Sequence, residues 1–280
     1  MKLKITFLFL VFGSYIYPQT SLDKIDLTSK SHKLDAKFYS GGNKSAPVII
    51  LLHGFPGNQI SPLDLAEHLS IKGFHVLAFN YEGSYDSEGL FSFENCIDNV
   101  GVAINFLQDE DNRKKFNIDT SRIVICGYSF GGAIALTSAI QNKKIKYIVS
   151  IAGPDQSLTT RKSGTDPEFR KSYYNNVAKS FEPNGPFRGN INEVFERNLV
   201  IVNQLDPILN AEVLKTRKIL MIVGWQDNLC PLEINAIPLY RKLRQINPQN
   251  ISIAGFEDGH QFVSVRKEIA NTIETWVNKL

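Results

Sequence analysis

The sequence predicts an α/β architecture: a mostly parallel central sheet with helices on both faces and a helical cap inserted between two strands. Two observations predict it. First, short mainly apolar runs (47–52, 145–151, 218–224) alternate with longer segments whose apolar residues recur at helical spacing (95–107, 232–246). A strand buried on both faces reads as such a run, and strand–helix–strand repetition implies parallel pairing beneath covering helices. Second, Ile123-Val124-Ile125-Cys126 leads straight into Gly127-Tyr128-Ser129-Phe130-Gly131 and then a small-residue segment of helical period. A turn that sharp forces its middle residue into strained backbone, and side chains at the flanking glycines would collide with the adjoining strand or helix. The turn lifts the Ser129 hydroxyl off the sheet, at the N-terminus of a helix whose free N–H groups favour negative charge.

The elements follow in order. Segments 24–29 and 32–40 alternate apolar and polar residues, as half-buried edge strands do. The buried run at 47–52 ends in His53-Gly54-Phe55-Pro56-Gly57. Ser61-Pro62 then opens a helix carrying Leu63, Leu65, Ala66 and Leu69, which Gly73 ends. Strand 74–80 gives way to a Gly- and Ser-rich loop at 81–89. Helix 95–107 places Ile97, Val100, Ile104 and Leu107 on one stripe. Beyond the turn at Ser129 come strands at 145–151, 218–224 and 251–256, a helix at 232–246 and a last helix at 262–280. The stretch 155–216 breaks this rhythm. It holds aromatic helical patterns at 168–179 and 191–203, joined by the turn-rich 181–187, and no clean buried strand. An insertion of that length between sheet strands is expected to be a functional lid.

At 280 residues, with 43% hydrophobic and 21% charged residues, the chain suits one large domain over 20–280 with a sizeable core. The net charge of +3 is slight and dispersed, which argues against nucleic acid or a membrane surface as a partner. Residues 1–19 read as a signal peptide: Met1-Lys2-Leu3-Lys4 is basic, 5–17 is almost wholly apolar, and the composition changes at Pro18. That apolar run is shorter than the roughly 20 residues of a spanning helix. The expectation is a secreted or periplasmic protein with no stable membrane anchor after cleavage. Cys96, Cys126 and Cys230 suit neither a disulfide framework nor a zinc site and read as buried thiols, with a Cys96–Cys230 bridge left open. No cluster has metal-ligand spacing and no Gly-rich loop fits a phosphate, so neither a metal nor another cofactor is expected.

Over essentially everything after residue 19 the chain resembles the α/β-hydrolase fold. The turn at Ser129, the 53–57 loop, Gly224-Trp225-Gln226-Asp227 and Gly259-His260 stand in that family's order of Ser, acid and His. Segment 80–89 is similar to the Tyr-Arg-Gly-x-Gly-x-Ser-x-Gly loop of prolyl-oligopeptidase-like and dienelactone-hydrolase-like serine hydrolases. It departs from that loop with Glu82 in place of Arg and Tyr85 in place of Gly. The resemblance implies a serine hydrolase in which Ser129 is the nucleophile, His260 the general base and Asp227 the acid that fixes the imidazole tautomer. Backbone N–H groups of Phe55 and Phe130 would form the oxyanion hole, leaving their side chains to line an acyl pocket. Tyr128, Tyr173, Tyr174 and Phe187 are the candidate substrate-binding residues.

Competitors for these roles read as structural. His32 and His75 sit at strand starts, His68 lies within a helix, and His53 belongs to its loop. Asp206 precedes Pro207 inside the insertion, and Asp258 is too near His260 along the chain to orient it. The leading expectation is an enzyme that cleaves a small-molecule ester through an acyl-enzyme intermediate. A peptidase acting on short peptides is the first alternative, prompted by the 81–89 loop. A catalytically silent binding protein of the same fold is the other.

Overall fold

The computed structural model describes residues 21–42, 45–60 and 62–280; the expected leader at 1–19 lies outside the described residues. In chain order the strands are β1 (Leu22–Ser29), β2 (His32–Tyr39), β3 (Ala46–Leu52), β4 (His75–Phe79), β5 (Ile118–Tyr128), β6 (Tyr147–Ile151), β7 (Lys218–Gly224) and β8 (Ile251–Phe256). They form an eight-stranded sheet in the order β1-β2-β4-β3-β5-β6-β7-β8. The pairs β1–β2 and β2–β4 are antiparallel, and the remaining pairs are parallel. From β3 the chain crosses to β4 on one side and then to β5 on the other. The crevice beyond the carboxyl ends of β3 and β5 is therefore a topological switch point, where open α/β sheets bind ligands.

Period-two alternation sends each central strand's residues to two cores. In β3, Val48, Ile50 and Leu52 join one core and Ile49 and Leu51 the other. In chain order the helices are α1 (Leu65–Ile71), α2 (Phe93–Gln108), α3 (Glu110–Lys115), α4 (Phe130–Gln141), α5 (Gln156–Thr165), α6 (Pro167–Ala178), α7 (Ile191–Val200), α8 (Ala211–Leu214), α9 (Leu232–Asn235), α10 (Ile237–Ile246) and α11 (Arg266–Val277). The core of Ile49 and Leu51 takes Leu65 and Leu69 of α1 with Ile269 and Ile273 of α11. The opposite core takes Val100 of α2, Ile134 of α4 and Leu239 of α10. Each such side chain contributes roughly 1.5–3 kcal/mol by leaving water. Among the described residues no helix is long and apolar enough to cross a membrane.

Several boundaries differ from expectation for local reasons. The first helix begins at Leu65 rather than at 61, because Leu63 and Asp64 take left-handed backbone at φ 52° and 56°. The expected 232–246 helix is two helices: Pro238, near the start of α10, lacks an N–H and would clash with a carbonyl four residues back in a continuous helix. The last helix starts at Arg266 rather than 262. Phe262 sits at φ 44°, and the Asp258 carboxylate holds the preceding turn by accepting from the Ser264 N–H and hydroxyl. The three cysteines are free thiols; Cys96 and Cys126 are buried and Cys230 is partly exposed.

Between β6 and β7, helices α5 to α8 form the cap. Asp155, Asp166 and Asn190 cap α5, α6 and α7 by accepting from backbone N–H groups of the first turns, and Pro167 opens α6. Helix α5 is mostly polar and carries no apolar stripe, which is why periodicity does not reveal it.

The turn between β5 and α4 depends on two glycines. A Cβ on Gly127 would stand 2.0 Å from the Gly131 carbonyl oxygen, and one on Gly131 would stand 2.4 Å from that of Leu52. Both obstacles are backbone and cannot swing aside. Gly127→Ala is expected to cost about 3 kcal/mol, the upper end of ordinary overpacking, read as a lowered urea midpoint. An unchanged midpoint would contradict the packing of α4 on β5.

Candidate active site

Ser129 stands at the junction of β5 and α4 with φ 54° and ψ −122°, a conformation that costs a non-glycine residue on the order of 1–3 kcal/mol. Two features hold it there. Its N–H donates to the Ile151 carbonyl at 2.8 Å, and α4 packs directly onto the strand end across Gly127 and Gly131. The side chain is thereby turned out of the sheet at the switch point.

His260 lies on the loop after β8 and Asp227 on the loop after β7. The two loops are stitched together: the Trp225 N–H donates to the Phe256 carbonyl at 2.9 Å and the Gln226 N–H to that of Asp258 at 3.0 Å. His260 Nδ1 is 2.8 Å from Asp227 Oδ2, and His260 Nε2 is 2.9 Å from Ser129 Oγ. With Nδ1–H donating to the carboxylate, Nε2 is left as the acceptor for the serine hydroxyl. The other carboxylate oxygen, Oδ1, accepts from the N–H groups of Leu229 at 2.9 Å and Cys230 at 2.8 Å. Burial alone would raise the Asp227 pKa; the bonds from His260, Cys230 and Leu229 outweigh it and hold the carboxyl below the usual carboxylate range. The competing acids are engaged elsewhere. Asp206 pairs with Arg161 at 3.0 Å inside the cap, and Asp258 caps its own loop.

Phe55 and Phe130 flank the serine. Phe130 is the first residue of α4, where a backbone N–H has no intrahelical partner. Phe55 follows Gly54, whose position would bring a Cβ to 3.2 Å from the Ser129 Cβ. Behind this loop, fully buried His53 bonds through Nδ1 to the Gly54 carbonyl at 2.8 Å, and its Nε2 has no partner among the described residues. Tyr81 closes the space, with its ring 4.4 Å from the His53 ring and its hydroxyl donating to the His53 carbonyl. Burial, only partly offset by the Gly54 bond, pushes His53 down to about 4.

A cavity of about 510 Å³ opens onto Ser129 beneath the cap, walled by Phe55, Phe91, Phe130, Tyr173, Phe181 and Phe195 among others. Of the expected substrate-binding residues Tyr173 lines it, and Tyr128, Tyr174 and Phe187 do not. The Tyr128 hydroxyl donates to the His260 carbonyl at 3.0 Å with its ring 5.3 Å from the imidazole, so it braces the histidine. Tyr174 packs against Phe195 at 6.2 Å instead of facing the cavity. Phe187 is buried behind the wall, stacked on Phe55 at 4.5 Å.

The 81–89 loop does something its sequence does not announce. It docks the cap: the Tyr85 N–H donates to the Pro186 carbonyl at 2.6 Å and the Arg188 N–H to that of Gly83 at 2.7 Å. Glu82, which stands where the resembled loop has Arg, is buried and accepts from His32 at 2.9 Å and Asn95 at 3.2 Å. Sequence reading also missed the polar cavity residues Gln156, Thr160, Ser163 and Asn198, three of which lie on α5.

A twisted sheet with its serine, imidazole and carboxylate aligned past the strand ends defines the class of α/β hydrolases. Residues 47–190, just over half of the chain, match the family model described as the alpha/beta hydrolase fold. The chain belongs to that family. Quorum-quenching protein AidA of Acinetobacter baumannii is 30% identical over 139 residues, which are 48% of this chain and 44% of AidA. The chain thus spans less than half the length of that relative. Among solved structures, the esterase Pf2001 of Pyrococcus furiosus superposes with a TM-score of 0.68 at 18% identity, covering 93% of this chain and 91% of that one. Est1E of Butyrivibrio proteoclasticus, with ferulic acid bound, gives 0.69 at 16% identity over 91% and 98% of the two chains. At such identities the likeness is one of fold.

His53 makes stability depend on pH in a definite direction. Its ring is held neutral in the folded chain but takes a proton below about 6.5 when unfolded. The unfolded state therefore binds more protons as pH falls from about 6.5 to about 4, and stability declines across that window by on the order of 3 kcal/mol. His53→Gln is expected to flatten this slope in urea titrations; a variant with the wild-type slope would remove His53 as its source.

Proposed function

We propose that this chain is a serine hydrolase that cleaves carboxylic esters through an acyl-enzyme. The observation that carries the reading is the hydrogen-bonded line from Asp227 through His260 to Ser129 at the mouth of a 510 Å³ cavity. Ser129 Oγ attacks the acyl carbonyl while His260 Nε2 takes its proton. Asp227, held below the usual carboxylate range, stays ionised at neutral pH and stabilises the imidazolium. The N–H groups of Phe55 and Phe130 receive the developing oxyanion. His260 returns the proton to the departing alkoxide, and a water activated by the same nitrogen then releases the acid.

The cavity supports esters ahead of peptides. Its walls are mainly aromatic and aliphatic, and Arg170, the one charged side chain on them among the described residues, is paired with Glu196 at 2.5 Å. Among the described residues no unpaired cation or carboxylate lines the space to hold a peptide terminus.

Ser129→Ala is expected to lower 4-nitrophenyl ester turnover at least about a thousandfold and to abolish fluorophosphonate labelling, with the urea midpoint nearly unchanged. Wild-type protein that a fluorophosphonate leaves unlabelled, or faster turnover of aminoacyl-anilides than of esters, would overturn the reading. From the 1–19 segment we also infer export. The mature protein should then begin near residue 20 in the periplasm or medium, and an uncleaved cytosolic chain would contradict it.

A further inference from the structure

One wall of the cavity does not fit an ester with a plain hydrocarbon limb. Gln156, Thr160 and Ser163 recur at i, i+4 and i+7 along α5 and so share one face, and Asn198 stands on neighbouring α7. All four line the cavity, yet they are only 9%, 7%, 5% and 5% exposed. The Ser163 hydroxyl is fully buried and, among the described residues, has no hydrogen-bond partner. Buried polar side chains are ordinarily hydrogen-bonded, and a polar face with a buried hydroxyl left without a partner, beside a largely apolar space, marks a place where a ligand supplies one. The four are hydroxyls and carboxamides, able to donate and accept but carrying no charge. Arg170 is already taken by Glu196, so the wall offers nothing for an anionic group.

We propose that the cap cavity selects esters in which the limb entering it is apolar along its length and ends in a neutral hydrogen-bonding group, a hydroxyl or carboxamide. That end would be received by Thr160, Ser163 and Asn198. The assignment rests on the hydrolase reading for its scissile bond and on the cap alone for its selectivity. The serine comes from the sheet and the polar wall from the cap, so a substrate held at both ends spans the cavity. Such a wall discriminates strongly, because an analogue lacking the polar end leaves buried groups unpaired.

The test uses two matched series on the full chain. One holds 4-nitrophenyl esters of six- to ten-carbon acids with a terminal methyl, hydroxyl, carboxamide or carboxylate. The other holds acetates of six- to ten-carbon alcohols with the same ends. In one series the hydroxyl or carboxamide ester is expected to exceed its methyl counterpart in kcat/KM by about tenfold or more, with the carboxylate poorest. Thr160→Val and Ser163→Ala, each conservative in shape, should lower the rate for the polar-ended ester more than for the plain one and so shrink the ratio. Equal rates for plain and polar ends in both series, or a preference that survives both variants, would overturn the proposal and leave the hydrolase standing. If no ester is turned over, the hydrolase reading fails instead. Titration calorimetry of Ser129→Ala with octanoate and 8-hydroxyoctanoate then decides the cap: tighter binding of the hydroxy acid supports the polar wall, and equal binding overturns it.

Discussion

The contact on which the rest of the site depends is the seating of α4 on the end of β5. Backbone meets backbone there at distances that admit no side chain, across Gly127 on one element and Gly131 on the other. That proximity is what keeps Ser129 in its strained conformation, since nothing local would choose φ 54° for a serine. The same seating aims the α4 N-terminus, with its free N–H groups, at the space where negative charge would develop. Remove the close approach and both the direction of the Ser129 hydroxyl and the placing of the Phe130 N–H go with it.

The partners of the serine are set by a different device, the joining of two loops at the other side of the sheet. Hydrogen bonds between the segments after β7 and β8 fix the spacing of Asp227 and His260, and Asp258 locks the turn that carries the histidine. Tyr128, one residue before Ser129, reaches across to the His260 carbonyl. The strand that presents the serine thus also braces the histidine. The carboxylate has its charge stabilised from three directions, which explains why burial does not neutralise it.

The cap is attached through the loop at 81–89 and through aromatic packing. Phe187 stacks on Phe55, Phe91 meets Phe187 at 4.7 Å, and an isolated strand-like pairing joins Ser84 to Phe187. Phe55 is therefore both a wall of the cavity and the platform on which the cap linker rests. Movement of the linker would be felt at the residue that follows Gly54, next to Ser129. Exposed ion pairs such as Arg197–Glu94 add little to this attachment, because water and salt screen them.

By itself the sequence determined the mostly parallel sheet, the succession of its strands along the chain and the three residues of the hydrogen-bonded line. Period-two and period-3.6 patterns, and a glycine-flanked serine, are local properties that survive in one dimension. His260 and Asp227 were legible because each follows a buried strand, a position the chain order reveals. Only the tertiary structure decided the cavity. Aromatic residues in the insertion all look alike in sequence, yet Tyr173 faces the space while Tyr174 and Phe187 pack away from it. Helix α5 hides its polar wall, since without an apolar stripe it resembles a solvated segment until α7 and the sheet enclose it. Which side of a cap helix meets a substrate is a matter of what lies across from it, and no spacing along the chain encodes that.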